Sequence, residues 1–241
     1  MKPTLCILGG CNGAGKTTLA RELLPRLGLM RFLNADEIGR GLSPLDPSLT
    51  AFKAGHLLID EASDLLERGG SFSVESSLSG KTYVALLREA KARGYRVVLH
   101  YILIGSASQA VARVALRVKL GGQAVPEIDI RRRFDHSRQH FLEDYLPLAD
   151  EWGLWENESP PPQQIADSET HTMDELTAMT NSNRIQETPR PEMSEMSRIV
   201  LEAGRVATEK MLDYYKRMGI RVTPQMTLAP ERKKRVRKPK A

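Results

Sequence analysis

Eight residues near the start of the chain, Gly10-Cys11-Asn12-Gly13-Ala14-Gly15-Lys16-Thr17, carry the spacing G-x-x-x-x-G-K-[ST]. Glycines in that order let successive backbone N–H groups turn inward onto phosphate oxygens, and a helix beginning near Gly15 adds the positive end of its dipole. Lys16 then reaches the β- and γ-phosphates of ATP, and the Thr17 hydroxyl holds a magnesium ion, with Thr18 following at the helix start. The motif needs a buried strand before it and a helix after it. Thr4-Leu5-Cys6-Ile7-Leu8 supplies the first and the pattern from Leu19 the second, so residues Gly10 to Thr18 read as a nucleotide site.

Other residues able to do chemistry fall at strand and helix ends. Asn34-Ala35-Asp36-Glu37 and Glu75-Ser76-Ser77 each follow a short apolar stretch. In open α/β sheets ligands bind beyond the carboxyl ends of the strands, so both groups should share a rim with the glycine loop. Motor ATPases, GTPases and transporter ATPases bring a second carboxylate to magnesium from a strongly apolar strand. The most apolar strand here, Tyr95 to Ile104, ends in Gly105-Ser106, which counts against a mechanochemical role. A small-substrate kinase needs a carboxylate to accept a hydroxyl proton, polar groups to hold the acceptor, and arginines to neutralise the transferring phosphoryl group. Asp36 fits the first role, Glu75 and Ser77 the second, and Arg113, Arg117 and the triplet Arg131-Arg132-Arg133 the third. Each has a plainer reading: Asp36 as a helix cap, Glu75 as a lysine partner, the arginines as solvated helix faces. The triplet fans around a helix, so at most two of its members face one site.

The elements that must position these groups alternate. Helical periodicity is expected from Lys16 to about Leu27 with Pro25 ending or kinking the last turn, then a strand at Met30 to Leu33 and a loop from Gly39 to Pro47. A helix over 50–68, a strand over 71–74, a helix over 81–93, the strand over 95–104 and a helix over 108–120 follow. Pro126 starts a further helix running past Phe141, and Trp152 to Trp155 forms another strand. From Asn157 the chain turns polar and proline-bearing, with one short strand near Gln164-Ile165-Ala166. The reading is an α/β, P-loop NTPase-type parallel sheet with helices on both faces over residues 1–166. A polar connection (167–190), a C-terminal helix (191–218) and a basic, disordered tail (219–241) complete it.

The net charge of +5 is a property of that tail: Glu231 to Lys240 holds seven basic residues and one acidic one, leaving a near-neutral body. The tail could bind nucleic acid, but no aromatic residue is interleaved for base stacking. The two cysteines, Cys6 and Cys11, form no disulfide framework, no apolar run approaches the ~20 residues that span a bilayer, and no signal-peptide pattern opens the chain. A cytoplasmic protein with no membrane partner is expected. Cys11 sits where a helix N-terminus can lower a thiol pKa, against the plainer reading of a loop filler. His136 and His140 stand one helical turn apart with no third metal ligand placed.

Asn12-Gly13-Ala14-Gly15-Lys16-Thr17-Thr18, Asn34-Ala35-Asp36-Glu37-Ile38, Glu75-Ser76-Ser77-Leu78-Ser79-Gly80, Gly94-Tyr95-Arg96-Val97 and Arg113 to Val118 through Gly121-Gly122 and Val125-Pro126 together resemble the zeta toxin family. These are P-loop kinases that phosphorylate a hydroxyl of a UDP-activated amino sugar, and the resemblance covers about residues 3 to 166. It implies Lys16 and Thr17 on ATP and Mg2+, Asp36 as general base, Glu75 and Ser77 on the substrate side, and Arg117 on the transferring phosphate. It also implies an antitoxin partner. Ser77 stands where a threonine is usual, and Gly121-Gly122-Gln123 occupies the stretch that should carry a second catalytic arginine; Arg131 or Arg132 takes that role instead. Two other functions stay open: a polynucleotide 5'-hydroxyl kinase whose tail tracks phosphates, and a regulatory ATP-binding protein without phosphotransfer.

Overall fold

In the strand that precedes the glycine loop, side chains alternate between two cores. Strand β1 (Thr4–Gly9) is buried along its whole length. Leu5 and Ile7 join a cluster with Leu58, Phe72, Val74, Leu87 and Leu99, while Cys6 and Leu8 join Leu19, Leu24, Val98, Ile102, Val114 and Phe134 on the other side. The period of two in a strand, applied to a run that is apolar throughout, requires helices on both faces. A computed structural model describes residues 2–120, 122–158 and 161–182. The helix expected over 191–218 and the basic tail lie outside the described residues.

The remaining strands are β2 (Phe32–Leu33), β3 (Phe72–Ser76), β4 (Arg96–Leu103), β5 (Glu151–Glu156) and β6 (Gln163–Asp167), and the sheet order is β2-β3-β1-β4-β5-β6. The first five run parallel and β6 pairs antiparallel with β5 at the edge. β1 is therefore flanked by β3 and β4, with Leu8 opposite both Glu75 and His100 and Gly9 opposite Ser76 and Tyr101. That register brings the ends of three strands to one rim beside the glycine loop.

The helices are α1 (Lys16–Arg26), α2 (Ala35–Leu42), α3 (Ala51–Glu67), α4 (Val84–Ala92), α5 (Ala107–Lys119), α6 (Glu127–His140) and α7 (Met173–Ser182). Pro25 is accommodated inside the last turn of α1, which closes at Leu27. Helix α2 overturns the expected loop at Gly39. Asn34 caps it, and it runs through Gly39 and Gly41 to Leu42. At Gly39 the helix packs on the next segment at ordinary contact distance: a Cβ would lie 3.5 Å from the Pro47 carbonyl oxygen and 3.7 Å from the Ala54 Cβ. The Thr50 hydroxyl donates to the Gly39 carbonyl across that contact (3.0 Å). Helix α6 passes through a widened turn at Phe141–Tyr145 into Leu146–Leu148 before β5 begins. Helix α7 forms inside the stretch read as a polar connection; Leu176 and Thr180 are buried one turn apart on its inner face.

One titratable group is buried neutral in the sheet. The Trp155 indole N–H donates to His100 Nδ1 (3.2 Å), which places the ring proton on Nε2, itself buried without a partner. Burial pushes His100 down to about 4.

Candidate active site

Three glycines shape the loop between β1 and α1: Gly10, Gly13 and Gly15 have φ of 145°, 80° and 96°, in the range where side chains are strained. Each is also crowded. A Cβ on Gly10 would lie 2.9 Å from the Ile102 carbonyl oxygen, and one on Gly13 the same distance from that of Ala110. At Gly15 it would collide with the Asn157 amide. That amide donates to the Ala14 carbonyl (2.8 Å), and Arg113 donates to the carbonyls of Asn157 and Glu158. The turn after β5 is thereby fastened to the glycine loop, with the Thr18 side chain outside on the exposed face of α1.

Lys16 is nine-tenths buried and folded over its own loop, donating to the Cys11 carbonyl (3.1 Å). Its ammonium lies 3.7 Å from Glu75 Oε1. The other oxygen of Glu75 accepts from the Thr17 hydroxyl (2.8 Å) and from the Asn34 amide (2.9 Å). Glu75 thus contacts Lys16 and Thr17, the side chains expected at phosphate and magnesium, and also lines the cavity beside Ser77. It supplies from β3 the carboxylate that β4 lacks. Thr17 and Glu75 together offer hard oxygen donors at the mouth of the loop, a donor set that suits magnesium, which takes few protein oxygens.

Asn34 works at both ends of its amide. Its Oδ1 accepts from the backbone N–H of Asp36 (2.8 Å) and Glu37 (3.3 Å) to cap α2, which fixes Nδ2 toward Glu75. The cap sets Asp36 in the first turn, its side chain exposed and on the wall of a cavity of about 300 Å³. Lys16, Asn12, Glu75, Ser77, Ser79 and Arg133 share that wall. The Ser77 and Ser79 hydroxyls bond each other (2.8 Å), bridging Leu78, a residue at φ 51° whose side chain is fully buried. Gly9 makes room for it: a Cβ there would collide with Leu78 Cδ1.

The arginines are sorted by their partners. Arg133 donates to the Asn12 side chain (3.4 Å) and reaches the cavity. Arg131 pairs with Glu127 (2.8 Å) and Arg132 with Asp129 (2.9 Å), each within α6, and of the triplet Arg133 is the member that lines the cavity. Successive residues are 100° apart on a helix, and the face carrying Ile130, Phe134, Ser137 and Arg138 is the one packed inward. Arg117 lies outside the Lys16 cavity. It lines a shallower depression of about 370 Å³ with Arg40, Arg113 and Leu116, where its guanidinium donates to the Gln123 carbonyl (2.8 Å) and its Nε is buried without a partner.

Cys11 is a buried loop residue. Burial pushes its thiol up to about 11, outweighing the opposing pull of Lys16, Arg138 and Arg113, so the thiolate is suppressed. His140 bonds Asp144 (2.8 Å) rather than joining His136 at a metal. Asn34, Arg138 and Asn157 were not anticipated. Asn34 alone had a local signal, a capping residue directly after a strand and three positions before Glu37.

The mostly parallel sheet, with the glycine loop between β1 and α1 closing on Lys16 and Thr17, is a P-loop NTPase-like α/β fold, and solved structures share it. The chain superposes on one from the PezAT chromosomal toxin–antitoxin system of Streptococcus pneumoniae with a TM-score of 0.58 and 18% identity over 88% of each chain. A chain of the AvrRxo1-ORF1:-ORF2 complex with ATP gives 0.62 at 19% identity, covering 80% of this chain and 67% of that one. A protein of Chloroflexus aurantiacus described as a kinase gives 0.52 at 19% identity, over 76% and 99% respectively. No family model matches the chain. It belongs to the same family as an uncharacterized protein of Haemophilus influenzae, with which it is 30% identical over 125 residues, 52% of this chain and 88% of that protein.

Proposed function

We propose that the protein is an ATP-dependent kinase that transfers the γ-phosphoryl group to a hydroxyl of a small metabolite. One observation carries the reading: Lys16 and Thr17 meet Glu75 at one end of a cavity whose wall also presents Asp36. In the reaction Asp36 takes the acceptor proton as the oxygen bonds to the γ-phosphorus, and the bond to the β–γ bridging oxygen breaks to leave ADP. Lys16 and Arg133 neutralise charge on the transferring group; the zeta-toxin resemblance adds Arg117, which stands in the last turn of α5 outside the cavity. Magnesium, held by Thr17 with Glu75 beside it, supplies further charge neutralisation when bound.

The acceptor side is lined by Ser76, Ser77, Ser79, Thr82 and Tyr83. Hydroxyls at such density fit a polar, hydroxyl-bearing acceptor, in keeping with the UDP-N-acetyl amino sugar implied by the zeta-toxin resemblance. A protein partner of antitoxin type belongs to the same reading; two of the similar structures come from a toxin–antitoxin system and a two-component complex.

The test is ADP release by purified protein with a panel of acceptors headed by UDP-N-acetylglucosamine, beside Lys16→Ala. One acceptor should stimulate release and gain the mass of a phosphoryl group, and Lys16→Ala should abolish both. ATP binding with no acceptor phosphorylated would refute the kinase and leave a regulatory nucleotide binder.

A further inference from the structure

Arg138 is the described cation hardest to explain by the fold alone. It lies in the last turn of α6, is 6% exposed, and its Nη1 is buried without a hydrogen-bond partner. No carboxylate lies within ion-pair distance of it among the described residues. A guanidinium does not shed its proton in a protein, so the charge is carried into the interior whole. The Phe134 ring face, 5.1 Å from its central carbon, offsets part of the cost of leaving water, and it is not an anion.

Its surroundings show where an anion would come from. The guanidinium is near enough to the Cys11 thiol and the Tyr101 hydroxyl to oppose the rise that burial imposes on each. Cys11 belongs to the glycine loop and its carbonyl holds Lys16, while Tyr101 lies opposite Gly9 at the end of β4. Ser137, the preceding residue, is bonded to Tyr101 (3.0 Å), and Arg133, one turn and a half earlier, reaches Asn12 in the loop. Helix α6 thus carries Arg133 to the rim of the phosphate loop and Arg138 to the layer packed behind it, over the Phe134 ring that clusters with Cys11 and Ala14.

We propose that Arg138 is a nucleotide-positioning residue: a fixed positive charge under the phosphate loop whose counter-ion is the bound nucleotide's phosphate chain. This rests on the loop binding a nucleotide, and goes beyond it by assigning the cation to ligand binding rather than to the fold. In the free protein the charge is a liability; with nucleotide bound it is compensated. Arg138 therefore pulls the stability of the free protein and its affinity for nucleotide in opposite directions.

Arg138→Met keeps the bulk of the side chain and removes the charge. Full-length protein is melted with and without ADP and ATP, and affinities are measured by titration, alongside Arg138→Lys and Lys16→Ala. The free Arg138→Met protein should melt at or above the wild-type temperature, bind ATP about tenfold or more weakly, and lose less affinity for adenosine than for ATP. Arg138→Lys should recover much of the ATP affinity. Unchanged ATP affinity in Arg138→Met overturns the proposal, as does equal loss in Arg138→Lys and Arg138→Met, which would make the side chain a matter of shape. If the wild type itself binds no ATP, or Lys16→Ala binds as wild type does, the nucleotide site is what fails.

Discussion

The two banks of the cavity treat charge differently. On the bank built by β3 and the start of α2, polar groups satisfy one another: Glu75 accepts from Thr17 and Asn34 and faces Lys16, Asn34 caps the helix, and Ser77 holds Ser79. On the side of α5 and α6, where Arg133 alone of these arginines reaches the cavity, the inward guanidinium groups lean on neutral oxygens or have no hydrogen-bond partner among the described residues. Arg113 and Arg117 hold backbone carbonyls, Arg133 holds an amide, and Arg138 is unpaired. Outward-facing Arg131 and Arg132 of the same helix have carboxylates within reach. Anions are organised by the protein on one side, and cations are left for a ligand on the other. That asymmetry is what a site for moving a highly charged phosphoryl group requires.

The largest effect that can break this picture is at Asp36, the member of the acidic bank without a side-chain partner. Asp36→Asn should lower kcat by ~10²–10⁴-fold with a small change in KM for ATP. Turnover within threefold of wild type would remove it as the base.

Next is the contrast between a cation the interior keeps and one it rejects. His100 has a folded pKa near 4, below the ordinary 6.5. The unfolded chain therefore binds the extra proton first as pH falls. His100 should contribute full stability above pH ~6.5 and cost about 3 kcal/mol on acidification to pH ~4. Chemical denaturation of wild type and His100→Leu across that interval measures it, and the variant should show the flatter profile.

Glu75→Gln keeps the acceptor for Thr17 and removes the charge facing Lys16. We expect a 10–100-fold weaker apparent affinity for magnesium in ATP turnover, the magnitude usual for groups that orient metal ligands. An unchanged magnesium dependence would return Glu75 to the acceptor side. The smallest effect separates the arginines of α6: Arg133→Ala should cost about tenfold in kcat/KM, and Arg131→Ala or Arg132→Ala within about twofold, as exposed ion pairs contribute little.

Much of the scaffold is legible in sequence because its signals are local. The apolar run before Gly10, the residues flanking β3 and β4, and the periodicity of α5 and α6 each state their element within a dozen residues. What escapes depends on distant partners. Gly39 and Gly41 read as a loop because nothing nearby tells that the Gly39 face of α2 will lie against Pro47 and Ala54. The role of Glu75 turns on β3 lying beside β1, a matter of strand order that no local pattern encodes. The choice among Arg131, Arg132 and Arg133 is one of helical phase, decided by which face Ile130 and Phe134 bury. Helix α7 was hidden by the polar residues around it, with Leu176 its one fully buried apolar anchor.

The packing of Leu78 over Gly9 ties the two substrates' halves of the molecule into a single inheritance. Leu78 joins a left-handed backbone to a side chain that packs over position 9, one residue before the phosphate loop, where a Cβ would collide with its Cδ1. A side chain acquired there would evict Leu78 and unseat the Ser77–Ser79 turn, so a change in the nucleotide-binding strand would surface as altered choice of acceptor. The wall of hydroxyls and the strand that leads into the phosphate loop are therefore one mechanical unit, joined at a position where the smallest side chain is the one that fits.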